Sequence, residues 1–415
     1  MTSTDVLRPP PSDIKSRIKA WLMNWAMAHV GTVFRLLRAV WPIPHFGKFA
    51  AVTRYDDVKE VFASNSKFSV TYQAKLEVIM GKPQFFLGID DDAQHNRATD
   101  AMRTVVRPAD IPVRLVPAVL AAAEQAVAKA GGRIEVVDAL VRQVTFDVLC
   151  DYFGTPDPPG ADMRVWATRL FEFQFADPGN DPVLRKEVDV IAPAMQAHIQ
   201  NLIDERKKSR GSKDDVLGRC IDKQAQGEPG FSDDDIRSAL IGFVVGGLPQ
   251  PPMVVPQALE QLLRRPAILA EAQQAAKDND DKLLAGYLFE AMRFDPLAPG
   301  LMRIAAVDRT IAAATPRATK VAKGTSVLVA FSSAMMDERR IPEPRRFNPR
   351  RLPHEYMHFG FGMHTCFGIH INQALLPLML KPLLKKDKFR RAPGRAGHLT
   401  KRGAFADTLS VEYLP

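Results

Sequence analysis

Ten residues near the C-terminus constrain the fold of this chain more than any other part of its sequence. The segment Phe359-Gly-Phe-Gly-Met-His-Thr-Cys-Phe-Gly368 places three glycines and a cysteine directly before an apolar run that begins at Ile369. Glycine lets the backbone turn tightly, and the apolar run predicts a helix. The N-terminus of that helix offers N–H donors and the positive end of its dipole, which favour a thiolate at Cys366. The segment therefore predicts a tight turn that holds a cysteine thiolate at the start of a helix.

Most of the remaining chain carries the three- and four-residue apolar spacing that is typical of helices. The predicted helices cover residues 14–40, 113–129, 133–153, 183–208, 233–247, 256–277 and 281–293. Three short segments have β character, at 50–53, 325–329 and 408–413. Because no repeat or low-complexity linker divides the 415 residues, we predict one domain over residues 1–415. Its fold class is mainly α with small β-sheets (α+β).

Residues 1–44 are predicted to form an N-terminal arm followed by an amphipathic helix. Prolines at positions 9–11 indicate a loose extended arm over the first twelve residues. The longest uncharged run of the helix, residues 20–34, is shorter than the roughly 20 apolar residues that a membrane span needs. The helix either packs on the body of the protein, which is favoured, or lies on a membrane surface. With no secretory signal and no transmembrane segment predicted, we expect a cytoplasmic protein.

Cysteine count and charge exclude some classes of protein. The chain has only three cysteines, Cys150, Cys220 and Cys366, and so small and odd a number argues against a disulfide framework. It is typical of proteins from a reducing compartment. The net charge is +9, from 56 Lys and Arg against 47 Asp and Glu. No zinc-finger spacing or RNA-binding aromatic motif accompanies it, so no nucleic-acid partner is predicted. The charge is either an ordinary solvated surface or a face for an acidic protein partner.

The cysteine segment resembles the heme-binding signature of the cytochrome P450 family. That signature is Phe, two residues, Gly, one residue, His or Arg, one residue, Cys, one residue, Gly. Every fixed position is matched, by Phe359, Gly362, His364, Cys366 and Gly368. A thiolate in a turn rich in donors is also a suitable axial ligand for an iron porphyrin. The resemblance, to members of the soluble bacterial type, implies heme b (iron protoporphyrin IX) as the cofactor and Cys366 as the iron ligand.

Further motifs extend the resemblance from about residue 45 to the C-terminus. Glu290 and Arg293 match the Glu-x-x-Arg of the family's core helix, where residues three apart share one face. Arg351 matches the arginine that completes a Glu–Arg–Arg network. The resemblance implies a structural role for these three residues rather than a chemical one.

The resemblance also implies which residues bind the heme propionates, since two carboxylates are costly to bury unpaired. His95, Arg303 and His364 occupy the matching positions. The family's His-x-x-x-Arg stretch is altered here, because Thr99 stands where the arginine is expected. Arg97 or Arg103 is a candidate to compensate.

The chain departs from the family in its long central helix. In the family this helix carries two small residues, then an acid and a hydroxyl that relay protons to bound dioxygen. Gly246 and Gly247 match the small residues. Pro249 stands in the position of the acid, Gln250 and Pro251 replace the one or two hydroxyls, and another proline follows. Prolines remove helical N–H donors, so a kink or break is predicted. The catalytic candidates are therefore Gly246, Gly247 and Gln250, and Gln250 cannot supply a proton at neutral pH.

An apolar pocket is predicted from the phenylalanines and leucine that fall near the site by position. The candidates are Phe85, Phe86, Phe173, Phe243 and Leu301. Such a set suits a small to medium hydrophobic substrate. Because the chain has no flavin or iron–sulfur motif, electrons are expected from a separate ferredoxin and ferredoxin reductase or a similar donor. Arg345, Arg346, Arg350 and Lys381 are candidates for a basic docking face for that donor.

Three hypotheses for the function remain open from the sequence. The leading one, implied by the resemblance, is a heme-thiolate monooxygenase that inserts oxygen into a hydrophobic substrate. The missing acid and hydroxyl favour a second, a peroxide-driven oxygenase or a hydroperoxide isomerase or dehydratase on the same heme. A heme-binding protein without turnover is the third.

Overall fold

The computed structural model describes residues 6–9, 14–81, 84–211 and 213–415. The helices of this part of the chain are α1 (Ile14–Val40), α2 (Tyr55–Phe62), α3 (Gln73–Met80), α4 (Asp92–Val105), α5 (Val116–Lys129), α6 (Gln143–Phe153), α7 (Met163–Phe171), α8 (Pro182–Lys208), α9 (Val216–Ala225), α10 (Asp233–Gly247), α11 (Pro251–Leu263), α12 (Pro266–Lys277), α13 (Asp281–Phe294), α14 (Phe331–Ala334) and α15 (Ile369–Leu384). Wider π-type turns precede α5 and α6 and follow α7. The predicted mainly α fold is confirmed.

Twelve short strands among the described residues form four small sheets. They are β1 (His45–Phe46), β2 (Phe49–Val52), β3 (Phe68–Val70), β4 (Arg133–Glu135), β5 (Leu301–Ala305), β6 (Arg309–Ile311), β7 (Thr319–Val321), β8 (Ser326–Val329), β9 (Arg390–Arg391), β10 (Thr400–Arg402), β11 (Phe405–Thr408) and β12 (Ser410–Glu412). The largest sheet has the order β1-β2-β8-β5-β3, in which only β2 and β8 are parallel. A second has the order β4-β12-β9, and two hairpins, β6-β7 and β10-β11, complete the set.

Two apolar cores hold these elements together. The larger is helical and includes buried residues of α5, α10, α11, α13 and α15. The smaller lies between the five-stranded sheet, α2 and α14. The cysteine turn precedes α15, which packs along α5 and α13. The cysteine turn also contacts the smaller core, since Phe361 of the turn packs against that core. The fold therefore places the turn where the helical core meets the sheet.

Local sequence signals set the ends of the central helix. Ser232 caps α10 by accepting a hydrogen bond from Asp235 N, and the Asp235 side chain bonds back to Ser232 N. Such a capping box satisfies backbone donors that a helix start would otherwise leave free. The helix ends at Gly247, two residues before Pro249, as the proline run predicts.

Three predictions from the sequence differ from the structure. Residues 6–9 of the arm are not loose, because Val6 and Leu7 are each only 2% exposed. Residues 133–135 form strand β4 rather than the start of a helix, because they pair with β12. The predicted helix 256–277 is two helices, since Pro266 starts a new one. The rest of the predicted arm lies outside the described residues.

Two helical stretches pass a length and composition test for a membrane span. Ile111–Lys129 and Asp233–Leu263 each contain an 18-residue window of mean hydropathy 1.4. The window in the second is 83% buried inside the protein, as expected for a core helix. The test is weak for both stretches, because a core helix of a soluble protein passes it as readily as a span does.

Candidate functional site

The turn around Cys366 is built by two glycines in left-handed backbone conformations. Gly360 and Gly362 have φ values of +77° and +79°, which glycine adopts at little cost. A Cβ at Gly362 would lie 2.7 Å from the carbonyl oxygen of Phe62, so the turn also needs glycine to approach the end of α2. Phe359 closes the turn by accepting a hydrogen bond from Cys366 N at 2.9 Å. These contacts fix the Cys366 backbone just ahead of α15.

The Cys366 sulfur faces donors from the first turn of α15. Burial raises the pKa of Cys366, while hydrogen bonds from Gly368 N–H and from the Asn372 side chain oppose that rise. The other two cysteines are fully buried, and burial raises the pKa of Cys150 to about 12. Cys366 is the one of the three that is not fully enclosed, although its sulfur is largely buried. A metal cation bound at Cys366 would favour the thiolate form, because a thiol that coordinates a metal loses its proton.

Two histidines meet beside this turn, and each keeps one ring nitrogen unused. The rings of His95, from α4, and His364 lie edge to face with centroids 5.2 Å apart. His364 Nε2 is 3.2 Å from Asp90 Oδ1. Nδ1 of both His95 and His364 is buried without a hydrogen-bond partner among the described residues. Burial and the nearby His364 lower the pKa of His95. A buried ring nitrogen without a hydrogen-bond partner lowers the stability of the fold unless another polar group forms a hydrogen bond with it.

Arg303 brings a buried cation to the same region from strand β5. It is 3% exposed, and its guanidinium lies 5.3 Å from the centre of the Phe62 ring. Its one side-chain hydrogen bond within the described residues goes to Met302 O, and no carboxylate there pairs with it. Arg303 pairs in register with Val70, whose N–H donates to Asp90. The β3-β5 pairing therefore ties Arg303 to the same acid that holds His364.

Thr99 does not replace the missing arginine of α4. Its hydroxyl is buried and donates back to His95 O at 3.0 Å and to Asn96 O at 3.1 Å. Arg97 is exposed and has no recorded side-chain contact with the described residues. Arg103, one turn after Thr99, places its guanidinium 5.3 Å from the ring centre of Phe367. Of the two candidates, the structure brings only Arg103 to the cysteine turn.

The central helix is broken where the sequence predicts it. Leu248 N still donates to Val244 O, but Pro249, Pro251 and Pro252 have no N–H for the carbonyls one turn earlier. The new helix α11 starts as Met253 N and Val254 N donate to Gln250 O at 3.0 Å. Gly246, Gly247 and Gln250 are half-buried, and the Gln250 amide has no partner among the described residues. The break therefore offers free carbonyls and a free amide in place of an acid and a hydroxyl.

An aromatic cluster joins the central helix to the cysteine turn. Phe243 of α10 stacks on Phe367 with ring centroids 5.3 Å apart and an interplanar angle of 18°. Phe86 lies 5.2 Å from Phe367 and 4.1 Å from Phe85. The Phe85 ring in turn covers Gly242, where a Cβ would collide with it. The cluster makes one side of the site apolar and leaves no room for a side chain at residue 242.

Two predicted pocket residues lie apart from this cluster. Phe173 is at the end of α7, with Lys75 Nζ 4.8 Å and the Arg185 guanidinium 5.8 Å from its ring centre. Leu301 is half-buried at the start of β5, opposite Val329, and packs against the smaller core. Phe173 makes no ring contact with Phe86 or Phe243 among the described residues. Leu301 packs against the smaller core, whereas the clustered phenylalanines belong to the helical one. The structure therefore divides the predicted pocket residues into a cluster of three and two separate positions.

The charge network predicted from the core helix is assembled. The two Arg293–Glu290 hydrogen bonds measure 2.7 Å and 2.8 Å, and Arg351 Nε donates to Glu290 at 3.1 Å. All three side chains are buried. Burial alone would raise the pKa of Glu290, but hydrogen bonds from Arg293 and the charges of both arginines hold it below its usual range. Arg351 also binds Glu355 at 2.7 Å, which anchors the segment that leads to the cysteine turn.

Sequence reasoning missed three residues of this site. Asp90 holds His364, Asn372 donates to Cys366, and Phe367 carries the aromatic cluster. Phe367 occupies a free position of the signature, so the pattern gave it no weight. Asn372 lies in the first turn of the helix that follows Cys366, and a polar side chain at that place could have indicated it.

Comparison with known proteins decides the family. The family model for cytochrome P450 matches residues 169–404, which is more than half of the chain. The chain belongs to the cytochrome P450 family. Among solved structures, P450BioI in complex with hexadec-9Z-enoic acid ligated acyl carrier protein superposes with a TM-score of 0.79. The superposition covers 94% of this chain and 100% of that one at 18% identity, which shows a shared cytochrome P450 fold.

Two curated relatives of this cytochrome P450 differ in the fraction of their length that aligns with this chain. A bifunctional dioxygenase–epoxy alcohol synthase of Pyricularia oryzae is 31% identical over 233 residues, which are 52% of this chain and 20% of that protein. The mycinamicin IV hydroxylase/epoxidase of Micromonospora griseorubida is 25% identical over 355 residues, which are 83% of each chain. The match thus spans about a fifth of the fungal protein and most of the bacterial one.

Membership of the cytochrome P450 family gives heme b as the cofactor, and the residues present fit this group. Cys366 offers a sulfur ligand with two donors beside it. Arg303 is a buried cation without a carboxylate among the described residues, and two histidine nitrogens are buried without partners. An acidic cofactor would satisfy these groups, since buried charges are stable when paired.

Proposed function

We propose that this chain is a heme-thiolate oxygenase that adds oxygen to a hydrophobic substrate. The observation that carries the proposal is the glycine turn that fixes Cys366 directly ahead of α15, with Gly368 and the Asn372 side chain beside the sulfur. Cys366 would bind the heme iron through its thiolate, and Arg303, His95 and His364 would hold the propionates. When bound, heme supplies the redox chemistry for oxygen transfer, with its electronics tuned by the thiolate. Residues 1–415 act as one catalytic domain.

The substrate side of the proposal rests on the aromatic cluster. Phe85, Phe86 and Phe243 are buried beside the cysteine turn, and they exclude water and orient an apolar molecule. Phe173 and Leu301 contribute from outside the cluster. The Gln250 amide has no partner among the described residues, so it is available to hold a substrate oxygen or a water. Relatives named as a hydroxylase/epoxidase and an epoxidase support oxygen transfer as the reaction.

Electrons reach the heme from a separate donor, for which we propose a ferredoxin with its reductase in the cytoplasm. Arg345, Arg346 and Arg350 are exposed on the segment that leads to the cysteine turn, where they would attract an acidic partner. Lys381 does not join that face, because it is buried and its Nζ lies 2.6 Å from Asp281. The docking face thus consists of the three arginines.

A carbon monoxide difference spectrum of the reduced protein tests the ligand assignment. We expect the absorbance band of a heme-thiolate in the native protein and its loss in Cys366→Ala. Cys220→Ala is the matched control, because Cys220 is fully buried in the helical core and its change should leave the band intact. A band that survives in Cys366→Ala would overturn the assignment.

A second function, rearrangement of a hydroperoxide, is favoured by the break at Pro249 and by one relative. An epoxy alcohol carries the same two oxygens as an unsaturated hydroperoxide. In such an isomerisation the O–O bond breaks, one oxygen closes an epoxide on the double bond and the other becomes a hydroxyl, with no electrons supplied. The reaction therefore needs neither the acid and hydroxyl missing from α10 nor a reductase. The fungal relative named as an epoxy alcohol synthase supports this alternative.

Comparing two oxidant supplies separates the two functions. With a ferredoxin, its reductase and NADPH, the oxygenase predicts oxygenated product coupled to NADPH use on a panel of apolar substrates. With linoleic acid hydroperoxide and no reductant, the isomerase predicts rapid formation of an epoxy alcohol. The double variant Pro249→Asp, Gln250→Thr should raise the coupled yield if the oxygenase is the function. Fast isomerisation together with uncoupled NADPH use would refute the oxygenase. If neither activity is found, the remaining function is that of a heme-binding protein without turnover.

A further inference from the structure

Helix α1 exposes an apolar stripe to solvent along its length. Ile14, Ile18, Trp25, Val33, Leu36 and Val40 recur at helical spacing and are between 51% and 73% exposed. The described residues of the opposite side near the C-terminal end attach the helix to the protein. Phe34 is buried, and Arg38 donates to Ser333 Oγ at 2.8 Å. An amphipathic helix of a soluble protein buries its apolar stripe against the core, whereas the six apolar residues named here face the solvent.

Three aromatic residues continue the stripe onto the first hairpin. Trp41 follows Val40 directly and contacts Phe46 edge to face, with ring centroids 4.8 Å apart. Phe46 is opposite Phe49 in the β1-β2 pairing, and all three side chains are more than 40% exposed. We call the six stripe residues together with Trp41, Phe46 and Phe49 the N-terminal apolar face. Single exposed apolar residues are ordinary, but a run of nine marks a surface that binds something.

The charge of this segment indicates what it binds. Residues 14–50 contain six Lys and Arg and no Asp or Glu, so they supply six of the nine net positive charges of the chain. Arg35 and Lys48 are exposed next to the N-terminal apolar face, whereas Arg38 is buried. Cations beside tryptophan, phenylalanine and leucine are typical of helices that lie in the interface of an anionic bilayer.

We propose that the N-terminal apolar face docks this protein onto the surface of an anionic lipid bilayer. The helix lies in the headgroup region with its stripe toward the acyl chains, and it does not cross the membrane. A second copy of the chain is a poor occupant of the same face. A two-fold contact would bring two acid-free, positively charged segments together, and like charges repel. The proposal is independent of the proposed oxygenase activity.

Vesicle flotation with the purified, heme-loaded full chain tests the proposal. We expect binding to vesicles of phosphatidylcholine with phosphatidylglycerol and much weaker binding to phosphatidylcholine alone. Raising the salt from about 0.1 M to about 1 M should weaken binding, because the screening length falls from about 10 Å to about 3 Å. Trp25 and Trp41 should shift their fluorescence to shorter wavelength on binding. Absence of binding to the anionic vesicles would overturn the proposal.

Matched variants locate the contact. Trp41→Ser with Phe46→Ser should raise the lipid concentration for half-binding by at least about tenfold, given the apolar area removed. Lys48→Gln should raise it about fivefold, the effect of one cation at an anionic surface. Val190→Ser is the control, since Val190 is 70% exposed on α8, and it should change nothing. All variants should keep the heme-thiolate spectrum of the native protein.

Size-exclusion chromatography separates the bilayer from other occupants. We expect a monomer without lipid for the native protein and for the Trp41→Ser, Phe46→Ser variant. A native dimer that this variant disperses, together with no vesicle binding, would assign the face to a second copy and contradict the proposal. Equal vesicle binding by the native protein and the variant would contradict it as well.

Discussion

At the scale of single residues, the site shows what a sequence signature can and cannot predict. The signature named Cys366 and His364, and the core-helix motif named Glu290, because each occupies a fixed position of a pattern. Asp90 lies outside every motif and Phe367 in a free position of the signature. Only the folded chain brings Asp90 to His364 and Phe367 to Phe243. A pattern records identity at a position, whereas these contacts depend on which segments meet in space.

The substitution at Thr99 leads to a prediction about Arg103. Arg103 is one turn further along α4, beside Phe367, and we expect it to bind a propionate in place of the absent arginine. Arg103→Gln should therefore release heme to apomyoglobin about tenfold faster, the effect of losing one charge-assisted hydrogen bond. The heme reduction potential should also shift, because a cation near the propionates is removed.

Arg97→Gln is the control for this prediction, because Arg97 is exposed on the same helix and its side chain makes no hydrogen bond, ion pair or ring contact with the described part of the chain. Its heme release and potential should match those of the native protein. Equal rates for Arg103→Gln and the native protein would show that Arg103 plays no part in holding the cofactor.

At the scale of elements, local patterns predicted the helices whose ends have local causes. Helix α10 matches its predicted bounds, because a capping box starts it and prolines follow its end. Strand β4 was missed because its residues have helical spacing, and only β12, more than 270 residues away, makes them a strand. The break at Pro266 was missed although proline often starts a helix. Long-range pairing was therefore the main source of error.

The N-terminal arm fastens elements that are distant in sequence. Arg8 lies 2.8 Å from Asp181 and 3.4 Å from both Glu172 and Glu187, which are at the end of α7 and in α8. Its carbonyl accepts from Arg402 in the β10-β11 hairpin, and Arg169 donates to Val6 O. The arm thus links the α7–α8 connection to the C-terminal hairpin.

Arg8→Gln should loosen this link. We expect a loss of about 1–2 kcal/mol in the free energy of unfolding, as for a partly buried hydrogen-bonded charge. Amide hydrogen exchange should rise between residues 172 and 187, the segment that Arg8 holds. Arg185→Gln is the matched control, because its pair with Asp189 is half-exposed and should contribute less than about 0.5 kcal/mol. Unchanged exchange in Arg8→Gln would show that the arm does not restrain α8.

At the scale of the whole molecule, two buried acids, Glu290 and Glu260, contribute to how stability responds to pH. Burial alone would raise the pKa of Glu290 and of Glu260, but arginine hydrogen bonds hold both below their usual range. A lower pKa in the folded state means that unfolding takes up protons in acid. These acids therefore stabilise the fold fully above about pH 4.3, the unfolded value, and the contribution is lost as pH falls through the lower folded value.

Glu290→Gln measures this contribution. The change leaves Arg293 and Arg351 buried without their shared carboxylate, which should cost about 3–5 kcal/mol at neutral pH. The variant should also lose less stability than the native protein between about pH 5 and about pH 3, since one titrating acid is gone. Urea unfolding across this range gives both quantities. Glu228→Gln is the control, because Glu228 forms an exposed pair with Lys223, and it should behave like the native protein. If Glu290→Gln loses stability with falling pH as steeply as the native protein does, Glu290 does not contribute to the pH dependence.

The position of strand β12 has a consequence for how the protein is synthesised. Residues 410–412 form the middle strand between β4 and β9, so the last strand of the chain completes a sheet begun at residue 133. On the ribosome, β4 has no strand partner from this sheet until residues 410–412 have emerged. A nascent chain stalled at residue 408 should therefore be cut readily by protease near residues 133–135, and a chain that includes residues 410–412 should resist that cleavage. The sheet thus forms late in synthesis, when residues 410–412 join a strand made more than 270 residues earlier.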